Sequence, residues 1–585
     1  MRPEGLAVME DRAPVAESST LVLIVGGDAL ALRVCEELAA FDGQQVALLW
    51  HDGGGDYPER VRRTGARFFA RRPHADALRE AGVLEASAIV ALTEDDRVNL
   101  QVGLRARDLN PRIRVVLRQF NRTLGRKVEQ NVPNCSVISL SSHSAATYAG
   151  AAVDASCFYG LQFPDIDGPL AGFSKLSAKA AGVAGLTAAQ AERELGNRVI
   201  AVDGETGVER EAPLRETAEV LFFKRVVRDP NARSGSDSGS KRLEFGRAAR
   251  SLYRALVRLD PIARALAIAG ALVFLIGVAA FGLALHLDPL SAAYFVVETM
   301  TTTGYGDISV RRGGAFTELA AVLLMLCGIV LNGLFVAILA SKLTQAQWVA
   351  MQGLRPIKRR GHVIVCGAGS VGTCVIDYLV GLDEQVVVVD TKPDPAIVER
   401  ARDRHFDLLT GDAAKDRTLE LCNVKQAKAL VALTHSDTMN LEVALGARAQ
   451  NPSLPIVMRV QEGAFAESVA RHFGIDRTFG TAALAAPVFA GLSRFSGVRG
   501  RVRIGAHEYA IGEFERGDAL EPALSACVPL AIWRRGKFAL IASFAETLPH
   551  DRALVLYPIY RLRGTPEERA RQELAASGEE VAKAL

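Results

Sequence analysis

Residues Thr301 to Asp307 read Thr-Thr-Thr-Gly-Tyr-Gly-Asp, a run whose backbone can do chemistry that its side chains cannot. Stripping water from a monovalent cation takes rings of carbonyl oxygens aimed at one axis, and that geometry needs backbone conformations that glycine adopts readily. Gly304 and Gly306 meet the need, Tyr305 can pack behind the carbonyls, and Thr302 can add a hydroxyl to the innermost ring. A second run, Gly367-Ala368-Gly369-Ser370-Val371-Gly372, has the spacing that brings backbone close to a pyrophosphate at the positive end of a helix.

Each run needs elements to position it. Residues 265 to 287 and 319 to 341 contain no Asp, Glu, Lys or Arg, and at 1.5 Å rise per residue each could cross a hydrocarbon core of about 30 Å. The spans are expected at about 262–287 and 316–341. Between them a segment from Pro289 to Thr301 is too short to cross and reads as a re-entrant pore helix leading into a filter at 302–307. Arg247, Arg250, Arg254, Arg258 and Arg264 precede the first span, and Lys342, Lys358, Arg359 and Arg360 follow the second. The excess of positive charge places both ends in the cytoplasm, with Arg311 and Arg312 as a smaller counter-signal.

The run from Val297 to Asp307 resembles the pore loop of two-transmembrane K⁺ channels, over roughly residues 262 to 343. That resemblance implies a homotetramer around one filter formed by Thr302, Thr303, Gly304, Tyr305, Gly306 and Asp307. Thr303 departs from it, since the family usually has valine there, which makes the space behind the filter more polar. Glu298 and Asp307 occupy positions where some members hold a carboxyl pair, and two such groups would share a proton. Gly328 stands where members bend the inner helix, and Gly333 is a second candidate; either could instead serve close helix packing.

Self-similarity organises the remaining sequence. Gly26 matches Gly367, Thr93 matches Thr434, Asn99 matches Asn440 and Arg118 matches Arg459, every pair 341 residues apart. Duplicated domains therefore bracket the pore segment. In the second copy a short apolar strand at His362 to Cys366 leads into the glycine run, a helix to Leu382 follows, and the strand Val386 to Val389 ends at Asp390, eighteen residues beyond Gly372. Strand, glycine turn, helix, strand and acid in that order are the fingerprint of an α/β dinucleotide fold. An adenine nucleotide is implied at Gly367, Gly369, Ser370, Val371, Gly372 and Asp390, with Asp412 either lining the adenine pocket or serving a turn. The carboxylate of Asp390 favours NAD(H), ATP or ADP over a ligand bearing a 2′-phosphate.

The first copy has lost much of this chemistry. Asp28 replaces the second glycine, Ala31 the third, and Trp50 and His51 stand where the acid should be, with Asp52 just beyond. It reads as mainly structural.

The two copies resemble RCK domains, also called KTN or TrkA-N domains, which form cytoplasmic gating rings on K⁺ channels and transporters. The resemblance covers about 20–155 and 360–495, with smaller lobes expected at 156–228 and 496–563. It also implies that a helix after the sixth strand swaps across a dimer, for which Ser141 to Val153 and Ala482 to Leu492 are small and apolar enough; core packing within one subunit is the alternative. Some members are gated by Ca²⁺, but Asp412 with His435 is thin for a cation wanting six to eight oxygens, so Ca²⁺ is not favoured.

Composition fits this architecture. Charged residues make up 23% and mean hydropathy is +0.14, too polar for a polytopic transporter, so most of the mass is outside the bilayer. A net charge of +3 without a dense basic run gives no sign of nucleic acid. The eight cysteines have no metal-ligand spacing and read as reduced thiols. Residues 1–19 read as a disordered tail and 564–585 as a charged one, 229–260 as a linker and pre-membrane segment whose Gly/Ser-rich part is Asp229 to Lys241, and 344–359 as a connector.

Two Rossmann-like α/β domains flanking an all-α pore thus imply a K⁺ channel of the cell membrane regulated by nucleotide. A membrane-tethered NAD-dependent oxidoreductase and a non-conducting nucleotide sensor are the alternatives. No catalytic constellation at a recognisable spacing supports an enzyme.

Overall fold

A computed structural model of the chain describes residues 21–227, 261–351 and 356–559, apart from 42, 51–56, 121, 164–167, 207–210, 405, 462, 476, 516–526 and 549. His51, Asp52, both tails, the linker Asp229 to Lys241 and the arginines from Arg247 to Arg258 lie outside these residues, as do the side chains of Arg264 and Lys342. The chain divides into two compact units, one made of Met1–Ser234 with Pro356–Leu585 and the other of Gly235–Arg355.

The first copy alternates strand and helix: β1 (Leu21–Val25), α1 (Ala29–Ala39), β2 (Gln45–Leu49), α2 (Tyr57–Arg63), β3 (Arg67–Phe69), α3 (Ala75–Glu80), β4 (Ala88–Ala91), α4 (Asp96–Leu109), β5 (Arg114–Arg118), α5 (Arg122–Asn131), β6 (Cys135–Ile138) and α6 (Leu140–Val153). Its six strands are parallel in the order β3-β2-β1-β4-β5-β6. The central strand is buried throughout, as its unbroken apolar run Leu-Val-Leu-Ile-Val requires with helices on both faces. A lobe follows, built from β7 (Cys157–Gln162), β8 (Leu170–Ser177), α7 (Ala188–Leu195), β9 (Arg198–Val202) and β10 (Glu219–Arg225), its strands antiparallel.

The pore unit holds α8 (Pro261–Leu285), α9 (Pro289–Met300) and α10 (Ala315–Met351). Two windows, Ile268–Leu285 and Ala315–Ile338, are long and apolar enough to cross a membrane, and only 11% and 17% of them are buried in the chain. Side chains such as Leu275, Ile276, Leu319, Leu326 and Val330 are exposed. An apolar surface of that extent needs lipid or further protein to cover it.

The second copy repeats the first as β11 (Val363–Cys366), α11 (Ser370–Gly381), β12 (Val386–Asp390), α12 (Pro395–Arg404), β13 (Asp407–Thr410), α13 (Asp416–Leu421), β14 (Ala429–Ala432), α14 (Asp437–Gln450), β15 (Ile456–Arg459), α15 (Gly463–Phe473), β16 (Arg477–Phe479) and α16 (Thr481–Arg494), with the same strand order. Its lobe comprises β17 (Val498–Ile504), β18 (His507–Glu515), β19 (Val528–Arg534), β20 (Lys537–Leu540) and β21 (Arg552–Pro558).

The helix after the sixth strand of each copy completes the core of the other. Ala145, Tyr148, Ala149 and Ala152 of α6 pack among Val371, Val375, Ile376 and Leu379 of α11. Reciprocally, Ala485, Phe489 and Leu492 of α16 enter the core built on Val22, Ile24, Val34 and Leu38. The exchange expected from the resemblance therefore takes place between the two copies of one chain. The Tyr148 hydroxyl donates to Phe479 O at 2.6 Å, and Arg501 of β17 forks onto Glu37 of α1 at 2.6 and 2.7 Å. The lobes also share a core, with Phe173 and Phe223 on one side and Ile511 and Leu556 on the other. Phe489 is wholly buried, so Phe489→Ala is expected to cost about 3–5 kcal/mol and to loosen both copies together. Hydrogen exchange measured at Val22 to Val25 checks this, since those amides belong to the opposite copy.

His362, at the start of β11, is buried, and its Nε2 donates to Cys422 O at 2.8 Å. Charging the buried ring would take an imidazolium out of water. Burial holds the imidazole pKa below its usual value, the bond to Cys422 O opposes that shift, and Arg359 and Asp407 act in opposite senses. The unfolded chain takes up a proton that the folded one refuses, so stability is full above the ordinary histidine pKa and falls as pH drops through the folded value. His362→Gln is expected to flatten that acid limb in thermal melts run between about pH 7.5 and 5.

Candidate functional site

The loop from Thr301 to Asp307 follows a capped helix and is tied back to it. Asp288 caps α9 by accepting from Leu290 N and Ser291 N, both at 3.2 Å, and Pro289 occupies the first turn, where its missing N–H costs nothing. Beyond α9, φ is +60° at Thr302, +59° at Gly304 and +76° at Gly306, while Thr303 and Tyr305 between them do not take positive values. Alternation of this kind collects N–H groups on one side of the chain and turns the carbonyls to the other. For β-branched Thr302 the conformation costs of order 1–3 kcal/mol, a strain typical of functional loops.

Glu298 is 7% exposed and fastens the loop twice. Its Oε1 accepts from Gly306 N at 3.2 Å, and its backbone carbonyl accepts from Thr303 N at 3.0 Å. The Gly306 amide thus takes one oxygen of Glu298, while its Oε2 is buried without a partner. The polarity brought by Thr303 is also accommodated, its hydroxyl lying 2.9 Å from that of Thr301.

Gly328, where a bend is expected, lies inside α10. Helix α10 runs unbroken from Ala315 to Met351, and a Cβ at Gly328 would stand 2.6 Å from Met300 O and 2.7 Å from Met300 Cα. Gly328 serves close approach of α10 to the end of α9, the packing alternative. Asn332 one turn on reaches the same carbonyl at 3.4 Å. A Cβ at Gly333 would meet no atom within 4 Å.

The second site lies at the carboxyl ends of β11 and β12. Gly367 has φ +99°, and a Cβ there would press on the Leu433 and Thr434 backbone at 3.1 Å. A Cβ at Gly372 would sit 2.0 Å from Gly367 O, so the third glycine lets α11 close onto the turn. Gly369 is different: a Cβ there would meet no atom within 4 Å, and as N-cap it offers no side chain to the free amides of α11. Ser370 and Val371 open that helix. The turn is therefore an uncovered helix N-terminus that can receive an anion.

Asp390 accepts from Ala368 N at 2.7 Å and Lys392 N at 2.8 Å, which fixes its carboxylate at the crevice and leaves lone pairs for sugar hydroxyls. Asp412 accepts from Ala414 N at 3.0 Å, the turn role among its two expected ones. Asp437 closes on Gln461 N and Asp96 on Phe120 N in the corresponding place, so both carboxylates are engaged with backbone. Thr434 and Asn440 form a buried knot in which Asn440 also donates to Arg459 O, and Thr93, Asn99 and Arg118 O repeat it bond for bond. The repeat in the sequence contained those residues without revealing that they lock β4 to β5 and β14 to β15.

The family pattern of the TrkA-N domain matches residues 22–136 and again 363–480, and that of an ion channel matches 262–345. Two TrkA-N domains bracket an ion-channel domain in this chain. Its relatives include "Probable potassium channel protein 2" of Methanocaldococcus jannaschii, 28% identical over 30% of this chain and 52% of the relative. "Potassium channel protein 1" of the same organism is 25% identical over 32% and 58% respectively. An uncharacterized protein of Methanothermus fervidus is 29% identical over 33% of this chain and 30% of its own. The alignments thus span about a third to somewhat over half of these relatives. Among solved structures, the GsuK channel bound to NAD covers 96% of this chain and 80% of its own, at 15% identity and a TM-score of 0.49.

The two TrkA-N domains differ where a ligand would meet them. In the first, a Cβ on Gly27 would collide with the Trp50 indole at 1.9 Å, and the Asp28 carboxylate is paired with Arg118 at 2.5 Å. In the second, no ion pair of Arg459 occurs among the described residues; its Nε is buried without a partner, as is that of Arg118. Arg459 was missing from the site expected from sequence. The signal was present in its match to Arg118, whose partner becomes visible only when the sheet brings residues 28 and 118 together.

Proposed function

We propose that the chain is the subunit of a homotetrameric, K⁺-selective channel of the cell membrane, both termini cytoplasmic, and that an adenine nucleotide at the second TrkA-N domain sets its open fraction. The carrying observation is the alternation of positive φ at Thr302, Gly304 and Gly306 between two helices of membrane-spanning length. Four such loops around one axis supply stacked carbonyl rings through Thr302, Thr303, Gly304, Tyr305, Gly306 and Asp307, with Glu298 holding the loop from behind. Relatives named as potassium channels agree with the choice of ion.

Gly367, Gly369 and Gly372 bring backbone to the phosphates, the amides of Ser370 and Val371 face them, Asp390 takes the ribose hydroxyls, and Asp412 holds the turn beside the crevice. NAD(H), ATP and ADP share that chemistry. The helix lent by the first domain packs against α11, whose first turn borders the crevice, so a ligand there acts on the packing between the domains. A ligand shifts a channel's populations only by binding its states unequally.

The test is flux from proteoliposomes under a K⁺ gradient, compared with Na⁺, with and without NADH, ATP, ADP or Ca²⁺. K⁺-selective flux that responds to at least one nucleotide is expected. Absence of K⁺ flux under every condition would overturn the channel reading.

A further inference from the structure

The N-terminal TrkA-N domain has the same turn, helix and strands as the C-terminal one, yet its crevice is filled by its own side chains. Residue 28 stands where Gly369 stands. Its carboxylate accepts from Ala31 N at 3.0 Å, at the N-terminus of the eleven-residue helix α1, and meets the Arg118 guanidinium at 2.5 Å. Arg118 also donates to Leu92 O at 3.0 Å and lies 5.1 Å from the Phe120 ring centre. An anion thus already occupies the point where helix amides and an arginine converge.

The sugar side of the crevice is filled as well. Gly26 N donates to Leu49 O as Gly367 N donates to Val389 O, so Trp50 is the structural counterpart of Asp390. In the second domain the Asp390 carboxylate bonds the amide of Ala368; in the first, the Trp50 indole lies against Gly27, the counterpart of Ala368. The two exchanges are matched. Alanine at position 27 would strike the indole, whereas Ala368 leaves room for the smaller carboxylate.

We propose that the first TrkA-N domain is self-liganded: Asp28 stands in for a nucleotide phosphate and Trp50 for its ribose, which keeps this domain in the ligand-loaded conformation while the second exchanges nucleotide. Arg459, released from such a carboxylate by Gly369, is the residue that receives the phosphate in the second domain. This rests on the nucleotide reading above.

The experiment uses the full chain in lipid nanodiscs, with ADP and NADH as probes in calorimetry and K⁺ flux from proteoliposomes as the second readout. Wild type is expected to bind one nucleotide per chain, and Asp28→Gly with Trp50→Asp to raise this to two. Gly369→Asp introduces a good capping residue where a Cβ meets nothing within 4 Å, so it folds; it is expected to bind no nucleotide and to show, without ligand, the flux of wild type saturated with ADP or NADH. Adding Arg459→Gln to it should return flux to the nucleotide-free level.

Two nucleotides per wild-type chain would overturn self-occupation, as would Gly369→Asp with nucleotide-free flux. No binding by wild type would remove the nucleotide reading itself, a different failure.

Discussion

Gly328→Ala is expected to abolish K⁺ flux, whereas Gly333→Ala is tolerated. The added methyl at residue 328 would meet Met300 O at 2.6 Å and Met300 Cα at 2.7 Å, both backbone atoms that no rotamer change can move. Helix α10 must then retreat from the end of α9. Overpacking of this kind costs about 1–3 kcal/mol in a core, modest for stability. The functional loss is larger because the displaced atoms carry the filter: Thr301 follows Met300 directly, and the bonds of Glu298 to Thr303 and Gly306 hang from the same turn. At Gly333 no atom is near, and alanine favours the helix over glycine by about 1 kcal/mol. Flux assays with tetramer content measured by size exclusion separate a displaced filter from failed assembly. Normal flux from Gly328→Ala would show that the close approach is not required for conduction.

The second large effect divides the glycines of the nucleotide turn. Gly372→Ala is expected to lower the melting temperature and to abolish nucleotide binding, because its Cβ would sit 2.0 Å from Gly367 O and force the helix off the strand. Gly369→Ala should melt as wild type does, since its surroundings are open and its φ of −67° suits alanine. It should nevertheless weaken ADP or NADH binding at least about tenfold, as a methyl at this point stands where backbone must approach phosphate. Melts and calorimetry on the same preparations decide. Equal affinity for Gly369→Ala and wild type would place the phosphate elsewhere.

Much of this architecture is legible in local residue order. The strands β1 and β11 are short unbroken apolar runs, β12 is one closed by Asp390, α8 and α10 each contain a long uncharged stretch, and the turn at Gly367 announces itself by glycine spacing. Such features are set by the period and length of neighbouring residues. The true partners of Glu298 and Gly328 escape such a reading for the opposite reason: each depends on which backbone group lies opposite, the Gly306 amide in one case and the Met300 carbonyl in the other.

Residue types at fixed spacing were enough to mark a candidate filter loop, to establish the duplicated α/β domains around it, and to expose the unequal retention of the nucleotide fingerprint in the two copies. It took the folded chain to reveal that α6 and α16 exchange between copies of one chain, that Arg118 answers Asp28 ninety residues away, and that Trp50 rests on Gly27. A side chain's partner across a sheet is fixed by strand order and register, and neither is written in the residues next to it.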